Sequence, residues 1–224
     1  MPTLSPMPVV VLISGSGSNL QAFIDAQKAG TLPISIQAVI SNKAEAGGLT
    51  RARNAGIETA VLSHRDYASR EDYDRQLIAV IDRYRPALVI LAGFMRILSD
   101  AFVSHYEGRL INIHPSLLPD FKGLHTHERA IAAGVQAHGC SVHFVIPELD
   151  AGPVIVQARV PILPGDTPAS LAARVQTQEH RIYPLAVKWI AQGRVEMRDG
   201  GLYKDGVRLD SPPVITPEQP IEAL

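Results

Sequence analysis

Two short segments of this sequence are apolar at every position, which requires burial on both of their sides. They are residues 9–13 and 87–92, and both are rich in Val, Ile or Leu. Strands without a polar face are typical of a parallel sheet that helices cover on both faces. Further strand patterns alternate with helix patterns along the chain, which is the order of an α/β fold. We therefore predict a single α/β domain with a twisted, mostly parallel sheet and helices on both faces.

Helical periodicity marks the segments between these strands. Leu20, Phe23 and Ile24 share one helix face, and Ser18 is placed to cap that helix. A second apolar stripe runs over residues 73–84. The other predicted elements are strands at 34–40, 59–62, 110–114, 138–146 and 154–162, a short helix at 49–54, and a long helix at 168–192 that Pro184 should kink.

The last part of the chain carries turn signals. Residues 195–209 are typical of a small hairpin with Asp205 in its turn. Four prolines fall between residues 211 and 220, which predicts an irregular tail over 211–224. The sequence shows no internal repeat and no linker, so the predicted domain spans residues 1–210.

Composition excludes several classes of protein. Apolar residues make up 46% of the 224 residues, and 21 lysines and arginines stand against 22 aspartates and glutamates. A formal charge of −1 gives no support to nucleic-acid binding, and neither a signal peptide nor a membrane helix is predicted. Cys140 is the only cysteine, which excludes an internal disulfide and favours a cytoplasmic protein. The oligomeric state stays open, and a homodimer is compatible with the sequence.

A glycine-rich loop, residues 14–19 (SGSGSN), lies between the first strand and the first helix. Backbone amides and the helix dipole at such a junction favour an anion such as phosphate, although a plain connecting turn is the alternative. A dinucleotide site fits less well. Leu20 stands where its third glycine belongs, and Ser41-Asn42-Lys43 stands where an acidic residue should follow about twenty positions on. The phosphate of a smaller substrate is the better match.

The most informative strand is residues 110–115 (LINIHP). Alternation along a strand places Asn112 and His114 on the same side, with Ile111 and Ile113 directed into the core. Pro115 then ends the strand. An amide beside an imidazole at this position favours a reaction site at the carboxyl edge of the sheet, and a satisfied polar pair near the surface is the alternative.

Five segments resemble the signature segments of the folate-dependent formyltransferases. They are residues 14–20, 93–98, 112–119, 148–153 and 176–180, in the order and at the spacing of that family. The resemblance runs from about residue 9 to residue 193. It implies a Rossmann-like formyltransferase fold and an enzyme without a metal ion. The implied reaction transfers a formyl group from 10-formyltetrahydrofolate to the amine of glycinamide ribotide in purine synthesis, with these small molecules as its only implied partners.

The resemblance also implies roles for individual residues. Asn112, His114 and Asp150 match the catalytic trio of the family. The implied contacts to glycinamide ribotide are Gly17, Ser18, Asn19, Gln176, Thr177, Gln178 and Glu179. The implied folate contacts are Arg70, Met95, Arg96, Ile97, Leu98, Asn112, Ile146, Pro147, Glu148 and Leu149, with the weakest match at Ile146 and Pro147. On this basis about 8–110 is a phosphate-binding half and about 111–193 a catalytic, folate-facing half. Residues 120–123 vary among relatives and are assigned no role.

Formyl transfer explains why such residues are needed. A neutral amine attacks the formyl carbon, a tetrahedral oxyanion forms, and the folate nitrogen leaves with a proton. The Asn112 amide and a protonated His114 can donate to the oxyanion, and one such donor is worth roughly 10²–10³ in rate. A carboxylate beside an imidazole favours the imidazolium. Asp150 is therefore expected to keep His114 charged and to receive the proton of the substrate amine.

Several other functions compete with this interpretation. A methionyl-tRNA formyltransferase would need a further C-terminal domain, for which we expect no room, whereas a formyltetrahydrofolate hydrolase would have a closely similar site. A nicotinamide oxidoreductase and a non-enzymatic phosphate sensor both rank lower. The histidines and the cysteine between residues 125 and 143 match no familiar zinc spacing, so we predict no metal site.

Overall fold

The computed structural model describes residues 5–221. Residues 1–4 of the predicted domain and residues 222–224 of the predicted tail lie outside the described residues. The chain separates into two compact units, Met1–Ile111 and Asn112–Leu224.

The first unit alternates strands with helices, as the sequence predicts. Its strands are β1 (Met7–Ile13), β2 (Ile34–Ser41), β3 (Glu58–Val61) and β4 (Leu88–Leu91). Its helices are α1 (Ser18–Lys28), α2 (Gly47–Asn54), α3 (Arg70–Asp82) and α4 (Asp100–His105), with a 3-10 turn at His64–Asp66. Of these elements, α4 and the 3-10 turn were not predicted.

The strands of the first unit form a parallel sheet in the order β3-β2-β1-β4. Residues 9–13 of the central strand β1 are 0% exposed, which is the reason that the segment carries no polar residue. Because parallel strands end at the same edge, the loop after β1 and the loop after β4 both leave the carboxyl edge of this sheet.

The second unit contains the remaining elements. They are β5 (Leu110–His114, which begins in the first unit), α5 (Thr126–Ala132), β6 (Ala137–Phe144), β7 (Val154–Pro161), α6 (Pro168–Ala191), β8 (Val195–Arg198), β9 (Gly201–Lys204), β10 (Val207–Arg208) and β11 (Val214–Ile215). The order β5-β6-β7-β11 places the antiparallel pair β6 and β7 next to β5. Together with the parallel strands of the first unit, this arrangement confirms the predicted α/β class with a mostly parallel sheet.

The structure corrects one local prediction and adds two features that the sequence did not predict. Gly17, and not Ser18, is the N-cap of α1, because the turn requires a left-handed residue (φ 73°) at that position. The segment after residue 194 forms a three-stranded antiparallel sheet, β10-β9-β8, with one turn at Asp205 as predicted and a second at Asp199. Helix α5 was missed, since its seven residues carry only a short apolar stripe.

The tail is more ordered than its prolines predict. β11 pairs in parallel with β7, and the backbone N–H of Gln157 donates to the carbonyl of Pro213 at 3.0 Å. The Arg181 guanidinium on α6 donates to the carbonyl oxygens of Thr216, Pro217 and Gln219. Carbonyl groups freed from regular pairing are thus satisfied by one arginine, which holds the tail to the helix.

Candidate active site

His114 and Asp150 lie side by side in the second unit. His114 is the last residue of β5, and Asp150 lies in the turn that leads into β7. His114 Nδ1 is 3.4 Å from Asp150 Oδ2, and the two side chains are only 7% and 8% exposed. A nearly buried carboxylate next to an imidazole interacts far more strongly than the same pair in water. This pair can hold and move a proton.

The turn at residues 121–123 contacts both members of the pair through its backbone. The carbonyl oxygen of Phe121 lies 3.0 Å from His114 Nε2. The N–H of Gly123 donates to Asp150 Oδ2 at 2.9 Å. Because a carbonyl can only accept, Nε2 carries a hydrogen, and Nδ1 is left facing Asp150. No role was predicted for residues 120–123, because a contact made by main-chain atoms leaves no trace in side-chain identity.

Asn112 contacts a histidine for which the sequence suggested no catalytic part. Nδ1 of His143 donates to the carbonyl of Phe144 at 2.9 Å, so Nε2 of the same ring is an acceptor for the Asn112 amide 3.4 Å away. Burial lowers the pKa of His143, which keeps the ring neutral. His143 Nε2 is 3.9 Å from Asp150 Oδ1, which is too long for a hydrogen bond.

Two further histidines pack behind this group. The rings of His127 and His138 are 5.1 Å apart in an edge-to-face arrangement, and Phe121 packs against His138 at 5.9 Å. Burial, followed by the nearby His127, lowers the pKa of His138 to about 4. Burial and the charge of His114 lower the pKa of His127. Among residues 5–221, no three His, Cys, Asp or Glu side chains are grouped to hold a metal ion.

A buried polar network fixes the backbone that follows His114. Ser141 Oγ donates to the carbonyl of Ser116 at 2.7 Å and accepts from the N–H of Leu118 at 3.0 Å. The Gln157 amide donates to the carbonyl of Leu118 at 2.8 Å and to Ser141 Oγ at 2.9 Å. Two side chains, from β6 and β7, therefore determine the path of residues 116–118.

The glycine-rich loop lies in the first unit, at the end of β1. A Cβ on Gly17 would lie 2.6 Å from the Cα of Gly48, so no side chain fits between these backbones. Ser14 Oγ donates to Asn42 Oδ1 at 2.6 Å and accepts from the N–H of Met95 at 2.8 Å. Within the described residues α1 begins without a side-chain cap, an arrangement that suits an anionic ligand at its N-terminus.

The predicted folate contacts of the first unit differ in exposure. Met95 and Ile97 are 70% and 65% exposed, which is unusual for apolar side chains and is typical of a binding surface. The Arg96 guanidinium lies 5.1 Å from the centroid of the Tyr73 ring, a cation–π contact. Arg70 begins α3, where its guanidinium pairs at 3.4 Å with Glu71, and Leu98 is half-buried.

The predicted folate loop of the second unit precedes Asp150. Ile146 is half-buried, whereas Pro147, Glu148 and Leu149 are exposed. Glu148 Oε1 pairs with Lys122 Nζ at 3.0 Å, which links this loop to the turn at residues 121–123. A cavity of about 520 Å³ lies beside the loop, lined in part by Ile146, Asp150, Lys122 and Arg208.

The four predicted ribotide contacts on α6 differ in how deeply they are buried. Gln176 and Thr177 are exposed, and Thr177 Oγ1 donates to the carbonyl of Ala173 at 3.1 Å. Gln178 is buried, and its Oε1 accepts from Arg181 at 2.6 Å. Glu179 is half-buried. The structure therefore leaves Gln176, Thr177 and Glu179 more accessible to a ligand than Gln178.

Known proteins are similar to this chain in sequence and in fold. The family model described as formyl transferase matches residues 7–187. The chain is 60% identical to the phosphoribosylglycinamide formyltransferase of Escherichia coli (strain K12), over 91% of this chain and 96% of that protein. The phosphoribosylglycinamide formyltransferase structure from Coxiella burnetii superposes with a TM-score of 0.90 at 54% identity, covering 94% of this chain and 99% of that one.

A hydrolase has the same fold at lower identity. The formyltetrahydrofolate deformylase structure from Pseudomonas putida KT2440 matches with a TM-score of 0.81 and 28% identity, over 91% of this chain and 71% of that one. With the family model covering most of its length and with identity this high to a curated relative, the chain belongs to the formyl transferase family that its motifs predicted.

Proposed function

We propose that this protein is a phosphoribosylglycinamide formyltransferase of purine biosynthesis. It transfers the formyl group of 10-formyltetrahydrofolate to the amine of 5-phosphoribosylglycinamide, giving formylglycinamide ribotide and tetrahydrofolate. The observation that carries the proposal is the His114–Asp150 pair beside Asn112, in a chain that is 60% identical to a protein of that name. Both small molecules are substrates, and the reaction requires no metal ion.

The reaction is an acyl transfer between two nitrogens. The neutral amine of the ribotide attacks the formyl carbon, and a new C–N bond forms as the carbonyl oxygen becomes an oxyanion. Collapse of this intermediate breaks the bond between the formyl carbon and N10 of the folate. One proton leaves the attacking amine and one reaches N10, so the protein gains and loses no net proton.

His114 supplies the charged donor of this mechanism. Its ring has an N–H at Nε2 because the carbonyl of Phe121 lies 3.0 Å away, and Asp150 stands beside Nδ1. When both nitrogens are protonated, each faces an acceptor. The Nε2–H, which the Phe121 carbonyl holds in direction, is shared with the oxyanion as the oxyanion develops. A donor of this kind is worth roughly 10²–10³ in rate.

Asn112 and Asp150 complete the catalytic group. The Asn112 amide is oriented by its contact with His143 and donates to the same oxyanion from a fixed position. Asp150 receives a proton from the attacking amine, directly or through water, and a general base of this kind contributes roughly 10²–10⁴. Its carboxylate is held by Gly123 while it does so.

We assign the recognition of both substrates to the residues that the motifs predict. We assign the phosphate of the ribotide to Gly17, Ser18 and Asn19, where glycine allows close approach and α1 presents its N-terminus. Gln176, Thr177 and Glu179 are the accessible polar contacts of α6, whereas Gln178 acts through Arg181. The exposed Met95 and Ile97 are assigned to the folate, together with the other folate residues that the motifs imply.

Location and assembly complete the proposal. No helix within residues 5–221 is long and apolar enough to cross a membrane. We propose a cytoplasmic location, which the single cysteine, free and buried, and the soluble metabolites of the proposed reaction support. A homodimer stays a prediction from the sequence, as do the boundaries of the phosphate-binding and catalytic halves.

One assay separates this function from the hydrolase. The absorbance of the folate product is followed with 10-formyltetrahydrofolate alone and after addition of 5-phosphoribosylglycinamide. A transferase forms tetrahydrofolate only when the ribotide is present, and formylglycinamide ribotide appears in equal amount. Product formation at the same rate with and without the ribotide would establish a hydrolase, and quenching of fluorescence by NADPH would favour the oxidoreductase.

A further inference from the structure

The turn at residues 121–123, called the strap below, is the only described segment whose backbone contacts both members of the His114–Asp150 pair. Phe121 supplies a carbonyl to the imidazole, and Gly123 supplies an N–H to the carboxylate. Both contacts have ordinary hydrogen-bond lengths, 3.0 and 2.9 Å. The orientation of the two side chains therefore depends on where this short segment of main chain is held.

The backbone conformation of the strap is not one that an isolated chain favours. Within the strap Phe121 has φ 54° and Gly123 has φ 80°, and His125, two residues further on, has φ 56°, so two residues with a Cβ lie in the left-handed region in or next to the strap. That region is unfavourable for residues with a Cβ, and such residues persist only where surrounding contacts hold them. An external contact is therefore needed to fix the strap.

Arg129 makes that contact. Its Nη1 donates to the carbonyl of Lys122 at 2.7 Å and to the carbonyl of Leu124 at 3.3 Å. Its guanidinium also lies 5.6 Å from the centroid of the Phe121 ring. One side chain thus binds the main chain on both sides of Gly123 and packs against Phe121.

The helix that carries Arg129 is itself anchored. Arg129 lies on α5, and the first residue of this helix, Thr126, donates from Oγ1 to the carbonyl of Pro115 at 2.7 Å. Pro115 directly follows His114. Arg129 is therefore linked to His114 by two routes. One runs through Thr126 and Pro115, and the other runs through the strap.

We propose that Arg129 is a positioning residue for formyl transfer, which fixes the strap and through it the orientation of His114 and Asp150. This inference rests on the proposed function. Arg129 touches neither catalytic side chain in the contacts described, so it acts only through main-chain atoms of residues 121–124. Without it the strap relaxes, the ring of His114 loses its fixed acceptor, and Asp150 loses its fixed donor.

The first test compares variants of surface arginines. Arg129→Met removes every donor and keeps an unbranched apolar side chain, and Arg129→Lys keeps one charged donor. We expect kcat of Arg129→Met to fall roughly tenfold, less than the roughly 10²-fold that a 1 Å misplacement costs. KM for both substrates should stay within about twofold, and Arg129→Lys should recover part of the loss. The control is Arg75→Met, whose side chain is 77% exposed and pairs with Asp72, and it should keep the parental kcat.

The second test asks whether the effect passes through His114. In a His114→Ala background the strap has only Asp150 left to orient, so Arg129→Met should lower kcat by a clearly smaller factor there than in the parental protein. An equal loss in both backgrounds would show a general structural effect and would overturn the inference, as would an unchanged kcat in Arg129→Met alone. If the parental protein formylates no ribotide at all, it is the proposed function that fails.

Discussion

Nε2 of His143 lies 3.4 Å from the side-chain nitrogen of Asn112. The hydrogen bond made by Nδ1 of the same ring determines whether His143 or Asn112 is the donor. Because His143 Nδ1 donates to the carbonyl of Phe144, its Nε2 has no hydrogen. The amide of Asn112 must then present its NH₂ group to the ring, since its oxygen would face a lone pair. His143 thus decides how the amide of Asn112, which we propose as an oxyanion donor, is oriented.

Replacing His143 should therefore affect turnover more than binding. His143→Phe preserves a buried ring and removes the acceptor, so Asn112 is free to rotate. We expect kcat to fall roughly tenfold, less than the roughly 10²–10³ that follows loss of an oxyanion donor itself. Steady-state kinetics with both substrates measure this. An unchanged kcat in a variant with parental thermal stability would contradict the role given to His143.

Asp150→Asn should abolish most of the activity. The amide keeps an oxygen for Gly123 but accepts no proton from the attacking amine, so turnover should fall at least roughly 10². Asp25→Asn is a matched control, because Asp25 lies in α1 with Gln21 as its hydrogen-bond partner. Turnover near the parental value in purified, folded Asp150→Asn would refute the catalytic assignment.

A pair of glycine variants tests the phosphate loop. Gly17→Ala adds a Cβ at φ 73°, only 2.6 Å from the Cα of Gly48, so the loop must shift. We expect KM for the ribotide to rise at least roughly tenfold, with a smaller effect on KM for the folate, because backbone donors to phosphate are displaced. Gly15→Ala has no heavy atom within 4 Å of its Cβ and serves as the control. Equal kinetics for the two variants would remove the support for this loop as the phosphate site.

His138 should make the fold less stable in mild acid. Burial lowers its pKa to about 4, whereas the unfolded chain has a histidine pKa of about 6.5. Between these values the unfolded state binds more protons, so the free energy of unfolding is highest above about pH 6.5 and falls towards pH 4. One histidine contributes at most about 1.4 kcal/mol per pH unit.

Urea unfolding at pH 7 and pH 5 measures this dependence. His127 and His143 have lowered pKa values as well, so the parental protein should lose stability over this range through all three groups. His138→Gln does not titrate, and its loss between the two pH values should be smaller than the parental loss. Parallel behaviour of the two proteins would show that His138 is not responsible.

The sequence predicted the framework of the molecule because apolar runs and helical stripes report burial directly. Residues 9–13 and 87–92 read as buried strands, and β1 and β4 are found there. The family follows from motifs that keep their order and spacing, and the comparisons confirm it. The proximity of Asp150 to His114 was implied only by the resemblance, since no local pattern shows which distant loop returns to a strand end.

The features that were missed are made by main chain or by tertiary pairing. The strap acts through a carbonyl and an N–H, which every sequence possesses, so residues 120–123 gave no signal. His143 drew attention only as a metal ligand, because its partner Asn112 lies on a different strand. Ser18 fits the usual preference for a cap, but the left-handed turn at position 17 gives that place to glycine.

β11 has a consequence for the solubility of shortened chains. β7 is flanked by β6 on one side, and on the other its backbone groups near Gln157 and Ala158 are covered by β11, which Arg181 holds in place. A chain that stops before Pro213 would leave these N–H and C=O groups unpaired along an apolar strand, open to strand addition from a neighbouring molecule. The proline-rich end thereby protects the protein from aggregation. Its removal should lower the yield of soluble protein more than it lowers the rate of formyl transfer by the protein that stays soluble.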